Sequence, residues 1–199
     1  DVLVAGSLSH AIPLQIRGES PPVEDTLGNA ALSSAFQEMT FILSRRGVDL
    51  LLLEMMSKPN RMVPLFEAVS NSRLPVWCGL STKRNASAEL VAAHDAGLAF
   101  KDIVALAAEQ HFDAWGIMHS SADLVAQALA YLPKSEPRTL LAYPDSGYME
   151  MPNWQFVDVM QPERFAQFAQ TWVDSGVQII GGCCGLGPEH IAAIADLKR

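Results

Sequence analysis

Cys183 and Cys184 stand side by side in Gly181-Gly182-Cys183-Cys184-Gly185-Leu186-Gly187-Pro188-Glu189-His190. Thiolates are strong ligands for a borderline or soft metal ion. Adjacent residues of a regular strand point to opposite faces, so inside a strand the pair could not share one ion. At a strand end the flanking glycines permit unusual dihedrals, and the backbone can turn both sulfurs the same way. A helix beginning near Pro188 adds the positive end of its dipole, which favours thiolates. Two thiolates and one further ligand leave one position open on a tetrahedral zinc ion, the arrangement of a catalytic site. The same pair also reads as two small residues buried at a crowded strand end, since free cysteine is often core.

A site of this kind needs a scaffold that ends several strands in one place. Short apolar segments alternate along the chain with segments of helical period. The strand candidates are Val2–Ala5, Val48–Leu53, Pro75–Leu80, Ala114–Met118, Thr139–Tyr143 and Val177–Gly181. Leu50-Leu51-Leu52-Leu53 is apolar at every position, as a strand buried on both faces is. Helices are predicted over Asn29–Arg46, Pro59–Asn71, Ser87–Gly97, Asp102–Gln110, Ser121–Tyr131, Glu163–Ser175 and Pro188–Leu197. Gly47 and Gly176 follow helices as terminating glycines, and Pro162 and Pro188 suit a first helical turn. Gly18–Gly28 and Tyr143–Gln161 read as long loops over the mouth of the fold.

Strand–helix–strand repetition means parallel pairing, in an open doubly wound sheet or a closed barrel. No Gly-x-Gly-x-x-Gly follows the first strand, which counts against the open sheet. Polar or reactive residues stand just past nearly every strand: Ser7, Glu54, Ser81, His119, Asp145 and Cys183. In a (β/α)₈ TIM barrel the site is built from those ends. The expectation is therefore an α/β chain, residues 1–199, forming one barrel domain that lacks two of the eight strands. The chain opens on Asp1 and enters an apolar segment at once, so residues upstream of it are expected.

Composition narrows the function. With 49% hydrophobic and 18% charged residues, the chain suits one globular domain with a large core. A net charge of −8 without a basic block argues against nucleic acid as a partner. No apolar run reaches the length of a membrane span. Three cysteines, two of them adjacent, cannot form a disulfide framework, so a reducing, cytoplasmic setting is expected. An incomplete barrel exposes strand edges, and a second copy or further residues would have to cover them.

The segment Gly181–Ile191, GGCCGLGPEHI, is similar to the signature that ends the homocysteine S-methyltransferase domain, a zinc-bearing barrel. Other segments fall in that family's order. Val4-Ala5-Gly6-Ser7-Leu8 resembles its third strand, Arg17-Gly18 the loop that follows, and Gly47–Glu54 its fourth strand. Tyr143-Pro144-Asp145-Ser146-Gly147 resembles its Tyr-Pro-Asn-Ser-Gly, followed by a tryptophan as Trp154 is here. The family's first two strands, with an acidic substrate-binding residue, have no counterpart in the sequence.

The resemblance implies a zinc cofactor and two small-molecule partners, a thiol and a methyl donor. It implies substrate contacts at Glu54, Asp145 and Ser7, with Glu54 on the amino group of an amino acid. It implies metal ligands at Cys183, Cys184 and position 119, where Gly116-Ile117-Met118-His119 departs from the family's Gly-x-Asn-Cys. His119 can still ligate through an imidazole nitrogen. Two thiolates and a neutral imidazole leave a zinc centre formally neutral, whereas three thiolates leave it negative. The less negative centre acidifies a bound thiol more strongly and makes the thiolate a poorer nucleophile. The implied activity is methyl transfer to homocysteine or a related thiol. Two alternatives stand beside it: a non-catalytic relative that keeps the barrel and a structural zinc, and a zinc hydrolase using metal-activated water. Cys78 is expected in the core, His190 in a structural role, and His10, His94 and His111 outside any site.

Overall fold

The computed structural model describes residues 2–9, 28–133, 138–150 and 155–197. Arg17-Gly18, His10, Trp154 and nearly all of the Gly18–Gly28 loop lie outside them. In chain order the elements are β1 (Ala5–Ser9), α1 (Asn29–Arg45), β2 (Leu50–Met56), α2 (Pro59–Val69), β3 (Val76–Leu80), β4 (Thr82–Arg84), β5 (Leu90–Ala92) and β6 (Asp95–Ala99). There follow α3 (Phe100–Ala108), β7 (Ala114–Ser121), α4 (Ala122–Leu129), β8 (Thr139–Asp145), β9 (Tyr148–Glu150), β10 (Gln155–Val157), α5 (Pro162–Asp174), β11 (Ile179–Ile180) and α6 (Pro188–Ala193).

Six strands form one sheet in the order β1-β2-β3-β7-β8-β11, and every neighbouring pair is parallel. The strands keep their chain order with no reversal. A doubly wound sheet reverses at a switch point, so the order is that of a barrel wall. Among the described residues the sheet is not closed, and β1 and β11 are its edges.

The helices bury one stripe each against the sheet. In α3 Phe100, Ile103, Val104 and Ala107 are buried, and in α5 Phe165, Ala169, Trp172 and Val173. Both sets follow the helical period. Against them the sheet places Leu51, Leu53, Cys78, Trp115 and Ile117, all in one core cluster. Gly47 and Gly176 adopt positive φ at 85° and 100° after α1 and α5, as terminating glycines do. No helix among the described residues is long and apolar enough to cross a membrane.

The expected helix over Ser87–Gly97 does not form. The segment is instead part of a three-stranded antiparallel sheet, β4-β5-β6. Turn chemistry decides against the helix. The Asn85 side-chain oxygen accepts from the Ser87 and Glu89 amides at 2.9 and 3.0 Å, and Asp95 Oδ1 accepts from Gly97 N–H at 3.0 Å. Those bonds offer the backbone a route that competes with helix. Smaller shifts occur elsewhere. The first strand lies at Ala5–Ser9, not Val2–Ala5, so Ser7 sits within it. The last strand is only Ile179–Ile180, and the last helix stops at Ala193. The expected loop Tyr143–Gln161 contains the hairpin β9–β10.

Candidate metal centre

All six strands of the main sheet run the same way, so their C-terminal ends share one rim. Two bulges shape it. Between Met118 and Ser121 the pairing of β7 with β8 slips, and His119 takes a positive φ of 42°. Between Leu53 and Met56 the pairing of β2 with β3 slips, and Met55 takes a φ of 59°. A bulge lets one side chain leave the alternation of its strand, which re-aims His119 toward the cysteine loop. The bulge in β7 is pinned from beneath. The Met118 carbonyl accepts from the hydroxyls of Ser81 and Ser120 at 2.9 and 2.8 Å, and Ser120 Oγ accepts from Thr82 N–H at 2.9 Å. Ser81, expected at a strand end, is spent on this support.

The chain leaves β11 and turns through Cys183 and Cys184. Gly185 completes the turn at a φ of 78°, where a Cβ would lie 2.0 Å from the Ser146 carbonyl. Only glycine fits there. The turn is stitched to the end of β8 by backbone bonds. Cys183 N–H donates to Pro144 O at 2.7 Å, and Ser146 N–H to Cys184 O at 2.9 Å.

These constraints bring both sulfurs to the same side. Cys183 Sγ lies 3.8 Å from Cys184 Sγ and 3.8 Å from His119 Nδ1. The three donor atoms all fall within 4.8 Å of one another, and all three residues are half-buried. Two sulfurs on one tetrahedral zinc, each at the usual bond length of about 2.3 Å, would be separated by about 3.8 Å. The donor set therefore fits such an ion in type and spacing. Burial, and next the neighbouring Cys184, push the Cys183 thiol up to about 12.

The rest of the rim is equally specific. The Ser7 hydroxyl donates to the Glu54 carboxylate, joining β1 and β2 at the rim. Asp145 Oδ2 is 3.6 Å from His119 Nδ1. Burial holds the Asp145 carboxyl above its ordinary range, and the nearby His119 opposes that shift. The Tyr143 hydroxyl is buried with no hydrogen-bond partner. It presses against Gly79, where a Cβ would come within 2.6 Å of it. Burial raises the phenol first, and Glu54, Cys78 and Cys183 add to that, so the hydroxyl feels both Glu54 and the cysteine loop. A cavity of about 490 Å³ opens beside His119 and Asp145, with Ser120, Asp123, Lys83 and His94 among its lining.

Over residues 1–197 the chain matches the family described as Homocysteine S-methyltransferase. The chain belongs to that family. It is 27% identical over 168 residues to homocysteine S-methyltransferase 1 of Arabidopsis thaliana, which covers 79% of this chain and 49% of that protein. Its fold is similar to the apo form of the homocysteine methyltransferase MmuM from Escherichia coli. There the TM-score is 0.67 at 25% identity, covering 97% of this chain and 61% of that one. The metallated form of the same enzyme matches with a TM-score of 0.61 at 26% identity, over 83% and 52% of the two chains. The chain spans about half the length of the curated relatives it matches.

Within this S-methyltransferase fold, the structure brings together His119, Cys183 and Cys184, with Asp145 beside them, and separately pairs Ser7 with Glu54. His190 has a different job. Its Nδ1 accepts from Gly187 N–H at 3.1 Å, so Nε2 carries the proton and donates to Met160 O at 2.7 Å. Cys78 is fully buried in the core. His111 is exposed. His94, expected outside any site, lines the cavity beside His119, with Nδ1 2.6 Å from Ser57 Oγ. Tyr143 was also missed as a site residue, although it opens the Tyr-Pro-Asp-Ser-Gly segment.

Proposed function

We propose that this chain carries the zinc centre of an S-methyltransferase acting on homocysteine or a related thiol. One observation carries the proposal: His119, Cys183 and Cys184 form a half-buried triangle whose two edges at Cys183, 3.8 Å each, suit a tetrahedral ion. Membership of the family supports it, and a metallated relative of similar fold points the same way.

When bound, zinc supplies a Lewis acid that makes a coordinated thiol lose its proton. The residues of the chain do the rest. Glu54 accepts from the substrate amino group, and the Ser7 hydroxyl fixes the carboxylate in place. Asp145 faces the cavity beside His119, and that cavity takes the methyl donor. The thiolate electron pair forms the new sulfur–carbon bond as the donor–methyl bond breaks, and the donor leaves with that bonding pair. Holding both partners in line lowers the barrier mainly by positioning.

Three unpaired cysteines fit a reducing, cytoplasmic setting. Val2, Leu3 and Val4 are exposed beside edge strand β1, and either a second copy of the chain or further residues of the protein would cover them. Light scattering over a concentration series tests that association.

The decisive experiment measures metal content and thiol methylation together. Purified protein should hold about one zinc per chain and methylate homocysteine with at least one of betaine, S-methylmethionine, a methylated folate or a methylated corrinoid. Cys183→Ser with Cys184→Ser should abolish both. Protein without zinc, whose methylation survives the double substitution, overturns the proposal.

A further inference from the structure

We propose that Met118 is a positioning residue for Glu54, its thioether holding the bulge of β2 from across the sheet. The inference rests on the assignment of Glu54 to the substrate amino group and adds the side chain that fixes the backbone beside it.

Leu53 pairs with Cys78 and Met56 with Leu80, so Glu54 and Met55 together stand opposite the single residue Gly79. Met55 takes its φ of 59° inside this bulge, a setting that is rare for a residue with a long side chain. Its amide N–H donates to Met118 Sδ at 2.8 Å. The strand order is β2-β3-β7, so the Met118 side chain has to cross β3 to reach β2. Gly79 provides the passage. A Cβ there would come within 2.6 Å of Met118 Cγ and 3.0 Å of its sulfur. Met118 is only 2% exposed, so the sulfur reaches the bulge from inside the fold. The Met55 carbonyl is held separately, by the Ser57 hydroxyl at 3.2 Å.

A thioether is a weak acceptor, but here it meets a half-buried N–H next to the carboxylate that must be aimed. Leucine would fill a similar volume and accept nothing. The asparagine of the family's Gly-x-Asn-Cys carries its side-chain oxygen as many bonds from the backbone as methionine carries its sulfur. An acceptor therefore stands at the same reach whichever of the two residues is present. The main chain of Met118 has a different task, since its carbonyl accepts from the Ser81 and Ser120 hydroxyls below His119. One residue thus braces the metal ligand's bulge with its carbonyl and the substrate carboxylate's bulge with its side chain. Substitution removes only the second brace.

The test titrates two thiols calorimetrically into the zinc-loaded protein: homocysteine, and 4-sulfanylbutanoate, which lacks the amino group. Met118→Leu should raise Kd for homocysteine roughly two- to ten-fold, the worth of one hydrogen bond. Zinc content should not change, and Kd for 4-sulfanylbutanoate should stay within about two-fold, because Glu54 has no amino group to hold there. Met118→Asn should bring Kd for homocysteine back to the natural value. Added to Glu54→Gln, Met118→Leu should weaken homocysteine binding no further, since it acts through the carboxylate. Circular dichroism and unfolding midpoints show that each variant is folded. No loss, an equal loss for both thiols, an undiminished loss beside Glu54→Gln, or an asparagine no better than leucine overturns the Met118 inference and leaves the Glu54 and zinc proposals standing. A natural chain that holds no zinc, or binds the two thiols equally, overturns the reading of the site, and the Met118 inference falls with it.

Discussion

Replacing Ser120 by alanine should loosen the metal centre from below. The hydroxyl has two bonds, one donated to Met118 O at 2.8 Å and one accepted from Thr82 N–H at 2.9 Å. The two losses are unequal. Met118 O keeps a second donor, Ser81 Oγ at 2.9 Å, so it remains satisfied. Thr82 N–H loses the partner to which it donates, and both Thr82 and Ser120 are only 2% exposed, so water has no ready access. A buried donor without an acceptor costs about 1–3 kcal/mol, and the middle of that range dominates the estimate. For a chain of 199 residues, about 2 kcal/mol corresponds to a fall in melting temperature of roughly 4–8 °C. The bulge that aims His119 rests on the same bonds, so zinc affinity should fall as well. Calorimetry of the metal-free protein and chelator competition of the zinc form read the two effects separately. A variant that melts within a degree of the natural chain and binds zinc equally well refutes the claim that Ser120 supports the bulge.

Glu54→Gln should raise KM for the amino-acid thiol about ten-fold or more, the worth of a hydrogen bond to a charged group, while zinc content stays unchanged; steady-state kinetics beside metal analysis separates the two. Ser7→Ala should have the same direction with a smaller effect, because it only frees the carboxylate that it now restrains. In the metal-free chain Cys183 lies above its ordinary value of 9.0, at about 12. A raised thiol stabilises the fold below the unfolded value and loses that contribution as pH rises from 9.0 toward about 12. Denaturant midpoints over that window should therefore fall more steeply than in Cys183→Ser. Gly185→Ala should abolish zinc uptake, since its Cβ would meet the Ser146 carbonyl at 2.0 Å; metal analysis of the folded variant decides.

Much of the frame was legible because it rests on burial. Leu50 to Leu53 read as a strand covered on both faces, and Leu50, Leu51 and Leu53 are buried there; the helix stripes followed their period. The Cys183–Cys184 turn was legible because glycines bracket it. What escaped is geometry that residue types do not encode. Nothing about Met55 or His119 announces a positive φ; each sits where the pairing of its strand slips. The small sheet β4-β5-β6 escaped because its apolar spacing also suits a helix, and only the Asn85 and Asp95 side-chain bonds tip the balance. His94 was dismissed for want of nearby company along the chain, yet that sheet carries it to the cavity wall. The pairing of Asp145 with His119 joins residues from two strand ends and becomes visible only in three dimensions.

The stitching between the end of β8 and the cysteine turn uses only main-chain atoms: Cys183 N–H to Pro144 O, and Ser146 N–H to Cys184 O. Evolution can therefore exchange side chains on this bracket without unpicking it. Ligand identity becomes an adjustable setting, and the bracket a natural chassis for selecting variants that prefer cobalt, iron or copper over zinc.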